Sequence, residues 1–235
     1  MKKSSLYSKL FICGLSISFL VACSSNQTTS SSSQSVSEVN NFAFVQKANE
    51  NVENIWYVIE DSNDDYQLSK DDEIEHVYLT KNGKMDVYNV DSLEPLTLSF
   101  LKDKSNSDIK ELVRQRAEAH FSELLEHLSI STKTSIDILF NRPVKATVET
   151  DSTGNTVVEE TIHYAHFDLD ADKNLVPGES YNIFNSTISG YIYDTYYVGY
   201  AGNSTSKSRF LVISAPNENV SISFDTLDTE NVTEE

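Results

Sequence analysis

Helical spacing occurs over one long window of this chain, and the rest of the patterned sequence is spaced for strands. From residue 105 to 128, Ile109, Leu112, Val113, Ala117, Phe121, Leu124, Leu125 and Leu128 recur three or four residues apart, which lines them along one side of an α-helix. Ser107 offers an N-cap oxygen and Asp108 complements the helix dipole in the first turn. Elsewhere β patterning takes over. Residues 54–59 set the single tryptophan, Trp56, among β-branched neighbours, a composition that suits a strand with Trp56 in the core. Residues 75–80 and 84–89 flank Lys81-Asn82-Gly83. Asn-Gly is the favoured pair of a type I′ turn, because both central residues need positive φ, so this segment predicts a β-hairpin. Asn141-Arg142-Pro143 breaks the helical region, and further strands are expected at 145–149, 156–166, 181–189, 191–200, 209–214 and 220–225, with 151–155 as a turn. Strands that bracket one helix predict an α+β domain: a mainly antiparallel, strongly bent sheet with one principal helix packed on it.

The start of the chain follows a different logic. Lys2, Lys3 and Lys9 precede a short apolar run, which closes on Leu20-Val21-Ala22-Cys23. A basic start, a short apolar core and a small residue at the end are the layout of a secretory signal. Residues 10–22 fall short of the roughly 20 apolar residues that span a bilayer, and Gly14, Ser16 and Ser18 interrupt them. The closing four residues resemble a bacterial lipobox. That resemblance implies cleavage before Cys23, diacylglycerol on its sulfur, and attachment to the outer face of the cell membrane with the lipid bilayer as first partner. Two acyl chains, at about 0.8 kcal/mol per buried CH₂, suffice for stable anchoring. Residues 24–35 contain no apolar side chain and so have nothing to bury, which makes them a flexible tether. The expected organisation is a signal peptide over 1–22, a lipidated cysteine and Ser-rich linker over 23–40, a single α+β domain over 41–227 and a loose acidic tail over 228–235.

Charge and cysteine content narrow the function classes. Removal of Lys2, Lys3 and Lys9 with the signal takes the formal charge from −18 to −21. So acidic a chain lacks the basic footprint of a nucleic-acid binder. Cys13 leaves with the signal and Cys23 carries lipid, so the folded part has no cysteine for a disulfide, a metal or a nucleophile. Two acidic stretches, 60–65 and 71–73, read as solvated loops.

Three features of the C-terminal half bear on function. Asp168, Asp170, Asp172 and Glu179 fall at the first, third, fifth and twelfth places of a segment similar to the calcium loop of EF-hands, although Lys173 stands where glycine makes the bend. The resemblance implies a Ca²⁺ site. His163 and His166 point to opposite faces if they lie on a strand, which leaves only His166 and Asp168 on a common face. Tyr191 and Tyr193, read as strand residues, share a face opposite Ile192 and form a candidate binding surface, since exposed rings stack on sugars or anchor protein partners. On the helix, His120 and His127 lie at the edge of the apolar stripe with Glu123 between them, and no H-E-x-x-H accompanies them.

No G-x-S-x-G, glycine-rich phosphate loop or cysteine nucleophile is present. The expectation is therefore a non-enzymatic binding or interaction module at the cell surface, facing cell-wall glycan or a surface protein. The layout resembles that of small surface lipoproteins of Gram-positive bacteria. Two other readings stand beside it: a signal peptide released as a pheromone-like peptide, and a cell-wall hydrolase working through two carboxylates.

Overall fold

A computed structural model describes residues 40–63, 65–91, 94–130, 135–172, 174–203 and 208–235. The signal segment, Cys23 and the linker up to residue 39 lie outside the described residues. The elements are β1 (Asn40–Phe42), α1 (Phe44–Ala48), β2 (Asn54–Glu60), β3 (Glu73–Lys81), β4 (Lys84–Asn89), α2 (Leu98–Leu101), α3 (Asn106–His127), a 3₁₀ turn (Ile136–Leu139), β5 (Arg142–Pro143), β6 (Lys145–Thr150), β7 (Val157–Leu169), β8 (Leu175–Phe184), β9 (Ser186–Ile192), β10 (Thr195–Asn203), β11 (Ser208–Ala215), β12 (Val220–Ile222) and β13 (Val232–Glu234).

The fold is α+β, with α3 as its principal helix. Its strands form two main sheets instead of one. A seven-stranded antiparallel sheet runs β5-β4-β3-β2-β11-β10-β9, and a four-stranded sheet runs β13-β6-β7-β8. β1 and β12 make a separate parallel pair, and β13 joins β6 in parallel. Alternation along the strands of the larger sheet divides the core in two. Trp56, Val58, Tyr78, Val87, Tyr200 and Leu211 face α1 and the smaller sheet, where they meet Ala146, Val148, Ile162 and Phe184. Tyr57, Ile59, Val77, Phe210 and Val212 face the other way, onto Leu98, Leu101, Ile109, Val113, Ala117 and Phe121 of α2 and α3. Trp56 is fully buried, as expected, and its indole N–H donates to Thr80 Oγ1 at 3.2 Å.

The hairpin at Asn82-Gly83 forms with positive φ at both residues, 51° and 70°. The cap of α3 differs from expectation: Ser105, not Ser107, accepts from the Asp108 N–H at 3.2 Å, and the Asp108 carboxylate accepts in return from the Ser105 N–H. The reciprocal pair satisfies two terminal donors, which a cap two residues later cannot do with Asp108. The strand expected over 181–189 is cut at Asn185, where the chain leaves the smaller sheet and enters the larger one. This crossing brings the Ile183 carbonyl against Gly202 so closely that a Cβ there would overlap it. The acidic tail is ordered, in contrast to expectation: Val232 is buried, and Val232–Glu234 pairs with Ala146–Val148.

A buried carboxyl pair joins the first layer. Asp225 accepts from the N–H groups of Val45 and Gln46 at 2.6 and 3.1 Å, and donates its own N–H to Glu160 at 3.1 Å. Tyr200 Oη accepts from Phe44 N–H at 2.9 Å and donates to the Ser223 carbonyl at 2.8 Å. Burial, reinforced by the Asp225 carboxylate, pushes Glu160 well above the usual carboxylate range.

Candidate functional site

The turn between β9 and β10 borders a polar cleft beside the helical layer. Tyr193 and Asp194 form this turn, with Ile192 paired to Thr195 and Tyr193 at φ 53°. Positive φ removes Tyr193 from the alternation of the strand, so the expected shared face does not form. Tyr191 packs across the sheet on Tyr196, with ring centroids 4.9 Å apart, while Tyr193 swings to α2. There its hydroxyl lies 3.0 Å from Ser99 Oγ and the Lys102 ammonium sits 4.4 Å from its ring centre. The two tyrosines read from the sequence as one surface therefore serve different surroundings.

Behind Tyr193 opens a cleft of about 240 Å³, with Tyr57, Tyr197, Lys102, Lys104 and Asn106 among its lining residues. Tyr57 and Tyr197 come from β2 and β10, on either side of β11, with ring centroids 6.5 Å apart in an edge arrangement. They are only 5% and 8% exposed, yet neither hydroxyl has a hydrogen-bond partner among the described residues. Burial pushes both phenols above their ordinary range, so both stay protonated donors. Neither Lys102 nor Lys104 forms an ion pair within 4 Å among the described residues, although Lys104 helps to lower the Asp108 pKa. Their ammonium groups lie instead over Tyr193 and Phe100. Sequence reasoning did not single out Tyr57, Tyr197, Lys102 or Lys104. The strand pattern around Tyr57 marks it as core, and nothing local tells whether its hydroxyl finds a partner.

A second group lies on the outer face of the smaller sheet. Lys145, His163 and Glu179 are shared by two clefts of about 260 and 340 Å³. His163 Nδ1 is 3.0 Å from Glu179 Oε1, and His163 Nε2 is 3.4 Å from Thr147 Oγ1. Thr147, His163 and Glu179 sit on three adjacent strands as diagonal neighbours. The carboxylate orients the imidazole; the hydroxyl is at the outer limit of hydrogen bonding.

The expected calcium loop is a β-hairpin turn. Asp168 is the penultimate residue of β7, and Asp170 accepts from the N–H groups of Asp172 and Asn174 at 2.9 and 2.8 Å. Glu179 lies within β8 opposite Ala165, on the face of His163, whereas Asp168 shares the other face with His166. The structure thus does not gather Asp168, Asp170, Asp172 and Glu179, because strand pairing carries the last carboxylate along and across the sheet. His163 and His166 do point to opposite faces, with His166 Nδ1 buried and without a hydrogen-bond partner among the described residues.

Both acidic stretches also depart from solvated loops, since Asp61 of the first and Asp72 of the second are 2% and 1% exposed. Asp61 accepts from the N–H groups of Asn63 and Tyr66 at 3.2 and 2.8 Å, and Asp72 from that of Ser69 at 2.8 Å. Asp61, Asn63, Asp65 and Asp72 carry EF-hand spacing, and Tyr66 at the sixth place has φ 59°. Part of this oxygen set already serves the loop's own backbone. Among the described residues Glu149, Glu159 and Glu235 also approach one another, on the surface.

Comparisons with protein-family models, with curated proteins and with solved structures find no match to this chain.

Proposed function

We propose that this protein is a membrane-anchored extracytoplasmic lipoprotein whose folded domain acts by binding at the cell surface. The anchor rests on the Lys-led signal segment and on Leu20-Val21-Ala22-Cys23, and the Ser-rich linker supplies reach. The single observation that carries the binding role is the tyrosine cleft. The Tyr57 and Tyr197 hydroxyls line it, reached by solvent and without a hydrogen-bond partner among the described residues. A ligand that enters meets two hydrogen-bond donors already held in place by the core, and Lys102 and Lys104, neither in an ion pair within 4 Å among the described residues, stand at the entrance.

The anchor is tested by metabolic labelling with palmitate: label is expected on the full chain and absent from Cys23→Ser. The binding role is tested by lysine acetylation of the full chain, read by mass spectrometry. Purified cell wall or surface-protein extract is expected to shield Lys102 and Lys104 while leaving Lys81 and Lys84, on the distant β3–β4 hairpin, fully reactive. Equal modification of all four lysines with either preparation would refute it.

A further inference from the structure

We infer that the tyrosine cleft is a saccharide subsite, taking one uncharged sugar ring of a glycan chain. The inference rests on the reading of the cleft as a binding site and adds the class of ligand.

Charge decides first. The molecule carries a formal −18, but the ionised groups lining this cleft balance: Lys102 and Lys104 against Asp103 and Asp194. A phosphate or carboxylate ligand would meet the two aspartates, and a cation would meet the two lysines. A sugar hydroxyl both donates and accepts, so it is served by all four, and by the phenol hydroxyls of Tyr57 and Tyr197. The mixture of donor-only and acceptor-only side chains around a small volume is what a ring of hydroxyls requires.

The walls decide next. Tyr193 is 43% exposed at the mouth, and Ser99 and Lys102 hold its ring from two sides. A ring fixed before binding loses little entropy on stacking against the C–H face of a sugar. Beyond the mouth, Phe100 exposes 48% of its surface and carries Lys104 and Arg116 at 4.9 and 5.5 Å from its ring centre. Lys104 thus links the cleft to a second exposed ring, and the next sugar of a chain leaving the cleft would pass over Phe100. Among ligands that present alternating hydroxyls and apolar faces in a row, a neutral oligosaccharide fits this sequence of surfaces.

The experiment is calorimetric titration of the full chain in detergent with hexamers of N-acetylglucosamine and of glucose, and with inorganic phosphate. Saturable binding of at least one hexamer is expected. Tyr57→Phe, which removes one hydroxyl and keeps the ring, should weaken it about tenfold, the worth of a single hydrogen bond. Tyr193→Ala should weaken it at least as much, and Tyr191→Ala, on the other face, should leave it unchanged. Melting curves of the three variants establish that each is folded. Binding of neither hexamer, or hexamer binding indifferent to both Tyr57→Phe and Tyr193→Ala, overturns the saccharide assignment. If Lys102 and Lys104 are still shielded by surface-protein extract in that case, the binding module stands with another ligand. If no preparation shields them, both readings fall.

Discussion

Single residues in this protein acquire their meaning from what crosses over them. Gly202 has an ordinary place in β10, but the chain crossing at Asn185 lays the Ile183 carbonyl where a side chain would begin. Gly202→Ala must push the two sheets apart or break the crossing. A loss of about 2–4 kcal/mol in urea unfolding is expected, in the range of strained core substitutions. Tyr57 illustrates the opposite case, a side chain that keeps its place in the core yet leaves its hydroxyl without a partner. Tyr57→Phe is therefore expected to leave stability unchanged or raise it slightly, since no protein hydrogen bond is lost. The same thermal melts that accompany the titrations measure it.

At the level of elements, local sequence decides most of what forms, and neighbours decide the ends. The Asn82-Gly83 turn and the apolar stripe of α3 are readable because their causes lie within a few residues: positive φ for one, helical spacing for the other. The cap is less readable, because Ser105 and Ser107 are both suitable residues and only the reciprocal bond with Asp108 distinguishes them. Ser105→Ala is expected to cost about 1 kcal/mol and Ser107→Ala much less, a difference resolved by parallel urea titrations. Tyr193 shows how far one dihedral can move a site. Read as strand it joins Tyr191; placed in the turn with positive φ it joins α2 and the cleft.

Across the whole molecule, buried titratable groups tie stability to pH in two opposed ways. Glu160 is fully buried, with Oε1 lacking a hydrogen-bond partner among the described residues, and its pKa is raised by burial and by Asp225. A raised carboxyl holds its proton in the folded state after the unfolded chain has released it. Its stabilisation is whole below the unfolded pKa of about 4.5 and is lost as pH rises through the folded value. His76 works the other way: partly buried, with its Nδ1 enclosed, it has its pKa lowered to about 4 by desolvation and then by Arg209 and His120. Its contribution, on the order of 3 kcal/mol, is present above pH ~6.5 and is lost as pH falls toward 4. The two oppose each other between pH ~4.5 and ~6.5, so the Glu160 part is isolated by substitution. As pH rises from the unfolded carboxyl value of about 4.5 through the folded one, Glu160 draws the unfolding free energy down, and Glu160→Gln, which cannot ionise, should remove that decline when both proteins are unfolded in urea across the pH range. An unchanged slope in the variant would place the proton elsewhere. The loss also has a structural locus, because Asp225 beside Glu160 holds the first turn of α1 by two backbone N–H groups.

The sequence by itself determined what nearest neighbours can enforce: the principal helix, most of the strands, the Asn-Gly hairpin, Trp56 in the core, and the absence of cysteine after residue 23. Only the tertiary structure decided which carboxylates meet and which hydroxyls stay unpaired. Glu160 and Asp225 lie 65 residues apart in sequence and share a buried hydrogen bond. Tyr57 and Tyr197 reach the same cleft from strands separated by a third. Burial and pairing depend on what packs from distant parts of the chain, and no local pattern records it.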